Sequence, residues 1–132
     1  MDYIKFGRKR ISIELAERLT LAGNVELLRD IGKYYSRKAV TNPKYYEKSI
    51  SFFLIGANAG CVDCMINVSK NALKYGKYLA VNEQEGDCRM YFGFAFDYAY
   101  KAFSKNRFRA QKHLIRSMIA INKHNVKIGI IY

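Results

Sequence analysis

Between Lys44 and Ala59 the positions Tyr46, Ser49, Ile50, Phe53 and Ala57 recur near i, i+3, i+4, i+7 and i+11, which lines one face of an α-helix of about four turns. Asn42 stands where it can cap the start. Pro43 falls at the first helical position, where a missing N–H costs nothing, and Gly60 marks the end. A second helix follows almost at once, because Val62, Met65, Ile66, Val68, Ser69 and Ala72 trace a new stripe. Two helices joined by so tight a turn must lie antiparallel. One proline and nine glycines in 132 residues are too few breakers for a β-sandwich or barrel, which needs a turn signal every ~8–12 residues. The expected fold is all-α, a single domain over residues 1–132, ordered nearly end to end.

This helical hairpin has an echo. Ala22-Gly23-Asn24-Val25-Glu26 matches Ala59-Gly60-Cys61-Val62-Asp63 at a displacement of 37 residues, and repetition at such a period marks a stacked array of helix pairs. Fainter echoes share a second pattern. Leu27, Ile31, Gly32 and Tyr35 place a hydrophobe and a small residue at +4 and +5 and a large or apolar one at +8. Cys64, Val68, Ser69 and Ala72 repeat it, as do Cys88, Phe92, Gly93 and Phe96, and His124, Ile128, Gly129 and Tyr132. Glycine inside a helix costs about 1 kcal/mol against alanine. Its recurrence at Gly32, Gly93 and Gly129 implies close helix packing that offsets the loss; the alternative is that these glycines only end helices.

Two stretches read as complete units. One runs from Tyr46-Glu47-Lys48-Ser49 through Ala59-Gly60 to Cys64, Val68 and Ser69. The other runs from Cys88 to Gly93, through Ser104-Lys105-Asn106 and Ala110, Leu114 and Met118, to Ile128-Gly129-Ile130-Ile131-Tyr132. The combination YxKA, an alanine-glycine turn and AxxxLGxxY resembles the Sel-one-like repeat, a relative of the tetratricopeptide repeat, over most of the chain from about Ile13 onward. Serine and cysteine replace the family's alanines at Ser49, Cys64 and Cys88, and Ser69 to Gly93 is a spacing of only 24. One first helix is therefore missing, shortened, or fused to its predecessor near Tyr75 to Ala80. The resemblance implies a short right-handed α-solenoid of antiparallel helix pairs, about six or seven helices. It further implies a concave face lined by first helices, used for protein recognition and not for catalysis.

Charge changes the picture. Twenty-three Lys and Arg stand against eleven Asp and Glu, a net charge of +12, and after Asp97 no acid remains while basic residues continue to Lys127. Such a field attracts anionic partners and speeds their encounter. Arg109, Lys112 and Arg116 recur at i, i+3 and i+7 and share a helix face opposite Ala110, Leu114 and Met118; a solvated surface is the plain alternative. Lys5, Arg8, Lys9 and Arg10 form a smaller basic cluster, expected as an N-terminal arm over residues 1–10, either a solvated tail or a flexible arm touching phosphate. Eleven tyrosines and eight phenylalanines suit the packing of helix on helix, with nucleobase stacking as the other use of such rings.

Catalytic chemistry finds little footing. Cys61 and Cys64 form a CxxC, but no second pair or flanking histidines accompany it, and buried thiols are the simpler reading for these and Cys88. His113 and His124 have no nearby acid, Glu83, Glu85 and Asp87 suit a helix start, and no glycine-rich phosphate loop is present. No apolar run suggests an export signal or a membrane span. The expected protein is a cytosolic, non-enzymatic adaptor, chaperone or immunity-type module without metal or cofactor, binding an acidic protein partner. Its expected contact residues are Tyr45, Lys48, Phe52, Lys105, Arg107, Arg109, Lys112 and Arg116. The alternative is a nucleic-acid-associated regulator that uses the basic C-terminal half, and the apolar C-terminal tail is expected to fold back or to form a homodimer contact.

Overall fold

The computed structural model describes residues 2–6, 8–82 and 85–124. Of the described residues 80% are helical. A β-hairpin, β1 (Tyr3–Phe6) and β2 (Lys9–Ser12), precedes helices α1 (Ile13–Leu21), α2 (Val25–Ala39), α3 (Tyr45–Asn58), α4 (Val62–Val81), α5 (Glu85–Lys105) and α6 (Arg107–Lys123). No described helix is long and apolar enough to cross a membrane.

The repeated phrase folds into the same turn twice. Gly23 at φ +107° and Gly60 at φ +97° occupy the left-handed region, which L-residues with a Cβ avoid. Around each glycine two hydrogen bonds close the end of the preceding helix. Asn24 N donates to Leu19 O at 3.1 Å and Gly23 N to Thr20 O at 3.0 Å, while Cys61 N donates to Gly56 O and Gly60 N to Ala57 O, both at 3.0 Å. This double closure satisfies carbonyls that a helix end leaves free. The next residue then starts the following helix. Asn24 Oδ1 accepts from Leu27 N and Cys61 Sγ from Cys64 N, both at 3.3 Å. α3 begins at Tyr45 instead of Pro43, because Asn42 and Pro43 form a tight lead-in turn in which Asn42 Oδ1 accepts from Lys44 N at 3.3 Å.

Consecutive helices pack against one another, and α4 also meets α6. Contacts across each pair run in opposite senses along the chain, as antiparallel packing demands: Gly56 touches Cys64 near the α3–α4 turn, while Glu47 accepts from Tyr75 Oη at 3.1 Å at the far end. Glycine admits the neighbour at three successive interfaces. A Cβ on Gly32 would lie 2.5 Å from the Phe53 ring, one on Gly56 would overlap Cys64 Sγ, and one on Gly76 would lie 2.9 Å from Phe92. Buried serines pin two of these contacts, with Ser49 Oγ donating to Gly32 O and Ser69 Oγ to Ala95 O, both at 2.7 Å. The larger core runs from Ile50 and Phe53 through Val68 and Phe92 to Ile121. A smaller one gathers Ile4, Ala16, Leu27, Ile31 and Tyr35.

α4 runs unbroken through Tyr75 to Ala80, one of the arrangements expected there. Three expectations are revised. Gly93 has no atom within 4 Å of its would-be Cβ; its neighbour Phe92 points into the core, and the glycine that receives it is Gly76. On α6 the buried line is Ala110, His113, Ser117, Ala120 and Ile121, while Met118 is exposed, because a stripe spaced only by fours drifts off a face of period 3.6. The N-terminal segment is no free arm: Ile4 pairs with Ile11 across the hairpin and is buried against α1 and α2. The echo at Ile128, Gly129 and Tyr132, Glu83, and the contacts expected of residues 126–132 lie outside the described residues.

Gly32→Ala should lose about 1–3 kcal/mol of stability through overpacking against Phe53. Gly93→Ala should gain up to about 1 kcal/mol from helix propensity. Opposite shifts of the urea midpoint check both, and a loss at Gly93 would mean that its surroundings are not open.

Candidate partner-binding face

The expected contact residues fall into two groups. Tyr45, Lys48 and Phe52 are engaged within the fold. The Tyr35 ring stacks on Tyr45 at 5.7 Å and on Phe52 at 6.0 Å. Lys48 Nζ lies 4.7 Å above the same Tyr35 ring and 3.4 Å from Glu17, so these residues tie α1, α2 and α3 together. Lys105 reaches over the Gly60 turn and Arg107 lies 5.6 Å from the Phe103 ring.

Arg109 is brought to a three-helix junction. Asp63, at the start of α4, accepts from Arg29 Nη1 of α2 at 3.1 Å and from Arg109 of α6. Arg109 first and Arg29 second hold the Asp63 carboxyl below the usual carboxylate range. This carboxylate joins the N-terminal ends of α2, α4 and α6, and a hydrogen bond between Ser36 and Asn71 joins α2 to α4 further along. Asp63 lies 34 residues after Arg29 and Asn71 lies 35 after Ser36; so constant an offset means that α2 and α4 run parallel.

Parallel alignment brings their exposed cations onto one face. α2 contributes Lys33 and Arg37, α4 contributes Lys70, Lys74 and Lys77, and α6 contributes Lys112, Arg116 and Lys123. The Lys70 ammonium is pushed below its usual range by desolvation and then by Lys74, Lys112, Lys33 and Arg116, so one amine feels cations from all three helices. Among the described residues none of these side chains forms an ion pair with a carboxylate. Between α2 and α4 a cavity of about 340 Å³ has Lys33, Arg37, Lys70 and Lys74 around it and buried Asn71 among its lining. A second, of about 380 Å³, opens between the C-terminal ends of α4 and α6, with Lys77, Arg116 and Lys123 around an apolar lining.

Lys112 and Arg116 therefore belong to a larger array than the sequence reading assigned them. The lysines of α2 and α4 were missed, although Lys33 and Arg37 at i, i+4, and Lys70, Lys74 and Lys77 at i, i+4, i+7, carry the same face-forming spacing. The hairpin adds Lys5 beside Lys33 and Arg37, with Asp30 in the same cavity. The thiols offer no counterpart: Cys61 serves as a helix cap, and burial pushes the Cys64 thiol up to about 12, far from the reactive range. Among the described residues no group of His, Cys, Asp and Glu could hold a metal ion. No protein-family model, curated protein or solved structure matches the chain.

Behind the array lies His113, 7% exposed. Burial, and then Lys112, Lys70 and Arg116, push its imidazole down to about 4 from the usual 6.5. The unfolded chain thus binds a proton that the folded chain refuses between those values. The stability His113 contributes is complete above pH 6.5 and is lost as pH falls towards 4. In this window the wild-type unfolding free energy should drop by up to about 1.4 kcal/mol per pH unit more than that of His113→Gln. Urea melts across pH check this, and parallel profiles would show that His113 is not held neutral.

Proposed function

We propose that the chain is a non-catalytic docking module that grips an acidic protein, with the face of α2, α4 and α6 as its working surface. The observation that carries this reading is the basic array on three aligned helices, which forms no ion pair with a carboxylate among the described residues. Within it partial burial first, and then neighbouring cations, push the Lys70 ammonium down. A surface that keeps like charges together against their repulsion is suited to an anionic partner, which supplies the missing carboxylates and is steered in by the long-range field. Val40, Val81 and Ile119 are exposed beside these cations. That mixture of charge and apolar contact fits a protein surface better than a phosphate backbone, which offers little to apolar side chains. On this reading the helix pairs are diverged Sel-one-like units, with the repeated glycine turn at 37-residue spacing as support. The second-helix face replaces the first-helix groove because Tyr45 and Phe52 are already committed to Tyr35.

The test combines Lys70→Glu, Lys74→Glu and Arg116→Glu. All three side chains are exposed, so the thermal midpoint should hold or rise as repulsion is relieved. Affinity capture from nuclease-treated native lysate should yield one acidic protein with wild type and lose it with the variant, the association rate falling by about tenfold or more. Wild-type protein purified without nuclease that instead carries material absorbing at 260 nm, with affinity collapsing as salt is raised, would assign the face to nucleic acid.

A further inference from the structure

One line of α6 presents apolar side chains to solvent. Phe108, Ile115 and Ile119 recur at i, i+7 and i+11 and are 92%, 48% and 61% exposed. At 1.5 Å per residue they mark a ridge roughly 16 Å long, on the side of the helix away from Ala110, Ser117 and Ala120. Lys112, Arg116 and Lys123 run beside the ridge on the side of α4, whereas Arg107, Gln111, Met118 and Asn122 lie on the other. At its C-terminal end Ile119 joins Val81 and Ala120 in the lining of the 380 Å³ cavity between α4 and α6.

Resting on the reading of the basic face as a dock for an acidic protein, we infer that the docking element is an acidic amphipathic helix laid along α6. Its apolar stripe covers Phe108, Ile115 and Ile119, one apolar side chain enters the α4–α6 cavity, and its carboxylates face Lys112, Arg116 and Lys123. A helix is favoured over an extended segment because α6 uses its own backbone groups internally and has no free edge to pair with a strand. A second copy of this chain is disfavoured because α6 contains no acid, so two copies would bring cation against cation. A membrane-lying helix carries cations along both borders of its apolar face, whereas here Lys112, Arg116 and Lys123 gather on one side and Arg107 alone stands on the other. The preformed cavity gives a shaped receptor for a side chain, which fluid acyl chains do not require.

The probe is a synthetic peptide of about five helical turns with leucines along one face and glutamates along the other, set against a peptide of identical composition with the leucines scattered. Binding is read by fluorescence anisotropy and helix formation by circular dichroism. The amphipathic peptide should bind at least about tenfold more tightly than the scattered one and gain helix on binding. Phe108→Ser with Ile119→Ser should remove about a tenfold share of that affinity and leave the thermal midpoint in place, since both side chains are exposed. Equal binding of the two peptides, or indifference to the Phe108 and Ile119 changes, overturns the inference. So does Phe108-dependent sedimentation with phosphatidylserine vesicles in the absence of peptide discrimination, or a dimer that dissociates on the same changes. If Lys70 and Lys74 reversal abolishes partner capture while ridge changes leave it intact, the basic face stands and the helical docking mode falls.

Discussion

A side chain laid against a glycine of the neighbouring helix sets the spacing of this molecule. Phe53 on Gly32, Cys64 on Gly56 and Phe92 on Gly76 repeat the device across α2–α3, α3–α4 and α4–α5. Each contact needs the absence of a methyl group, because interiors packed to crystal density give way by tenths of an ångström and not by whole ones. With the axes this near, Ser49 and Ser69 can reach main-chain carbonyls of the adjoining helix, and buried hydroxyls find partners. Helix propensity is given up at the glycines, and dispersion and burial return it.

The surface chemistry follows from that spacing. Once every second helix is parallel to the last, lysines that are ordinary along each sequence stretch become neighbours in space. Asp63 neutralises the array at one end by accepting from Arg29 and Arg109. Further along, towards Lys77 and Lys123, no described carboxylate does the same. The tyrosines serve the opposite purpose: Tyr75 meets Tyr46, Tyr78 and Tyr91 and Tyr98 Oη donates to Asn58 at 2.9 Å, so ring and hydroxyl are used inside the fold.

What could be read from the sequence was what depends on residues close along the chain. The turn at Ala59-Gly60-Cys61 and its copy at Ala22-Gly23-Asn24 were legible because left-handed glycine and helix cap are local chemistry. The role of Gly93 was not, since a shared spacing does not say which face of α5 meets α4. Met118 was misplaced on α6, where His113, a titratable group, takes a core position by staying neutral. The hairpin escaped notice because basic residues dominate Lys5 to Arg10, while its anchoring pair, Ile4 and Ile11, are far enough apart in sequence to look unrelated. The cationic face was half seen: charge after Asp97 stood out for its lack of acids, but Lys70 and Lys74 lie among residues of mixed character and gain their meaning only beside α2 and α6.

The crowding around Lys70 has an energetic corollary. A folded chain that fixes ammonium groups near one another stores repulsion which the unfolded chain disperses, so the isolated molecule is less stable than its packing alone would make it. On the proposed reading, an arriving carboxylate would discharge the repulsion that the neighbouring cations impose on Lys70, while the lowering that burial causes would stay. On that reading association and folding would be coupled through the same few amines, and occupancy of the face would tighten the helices behind it.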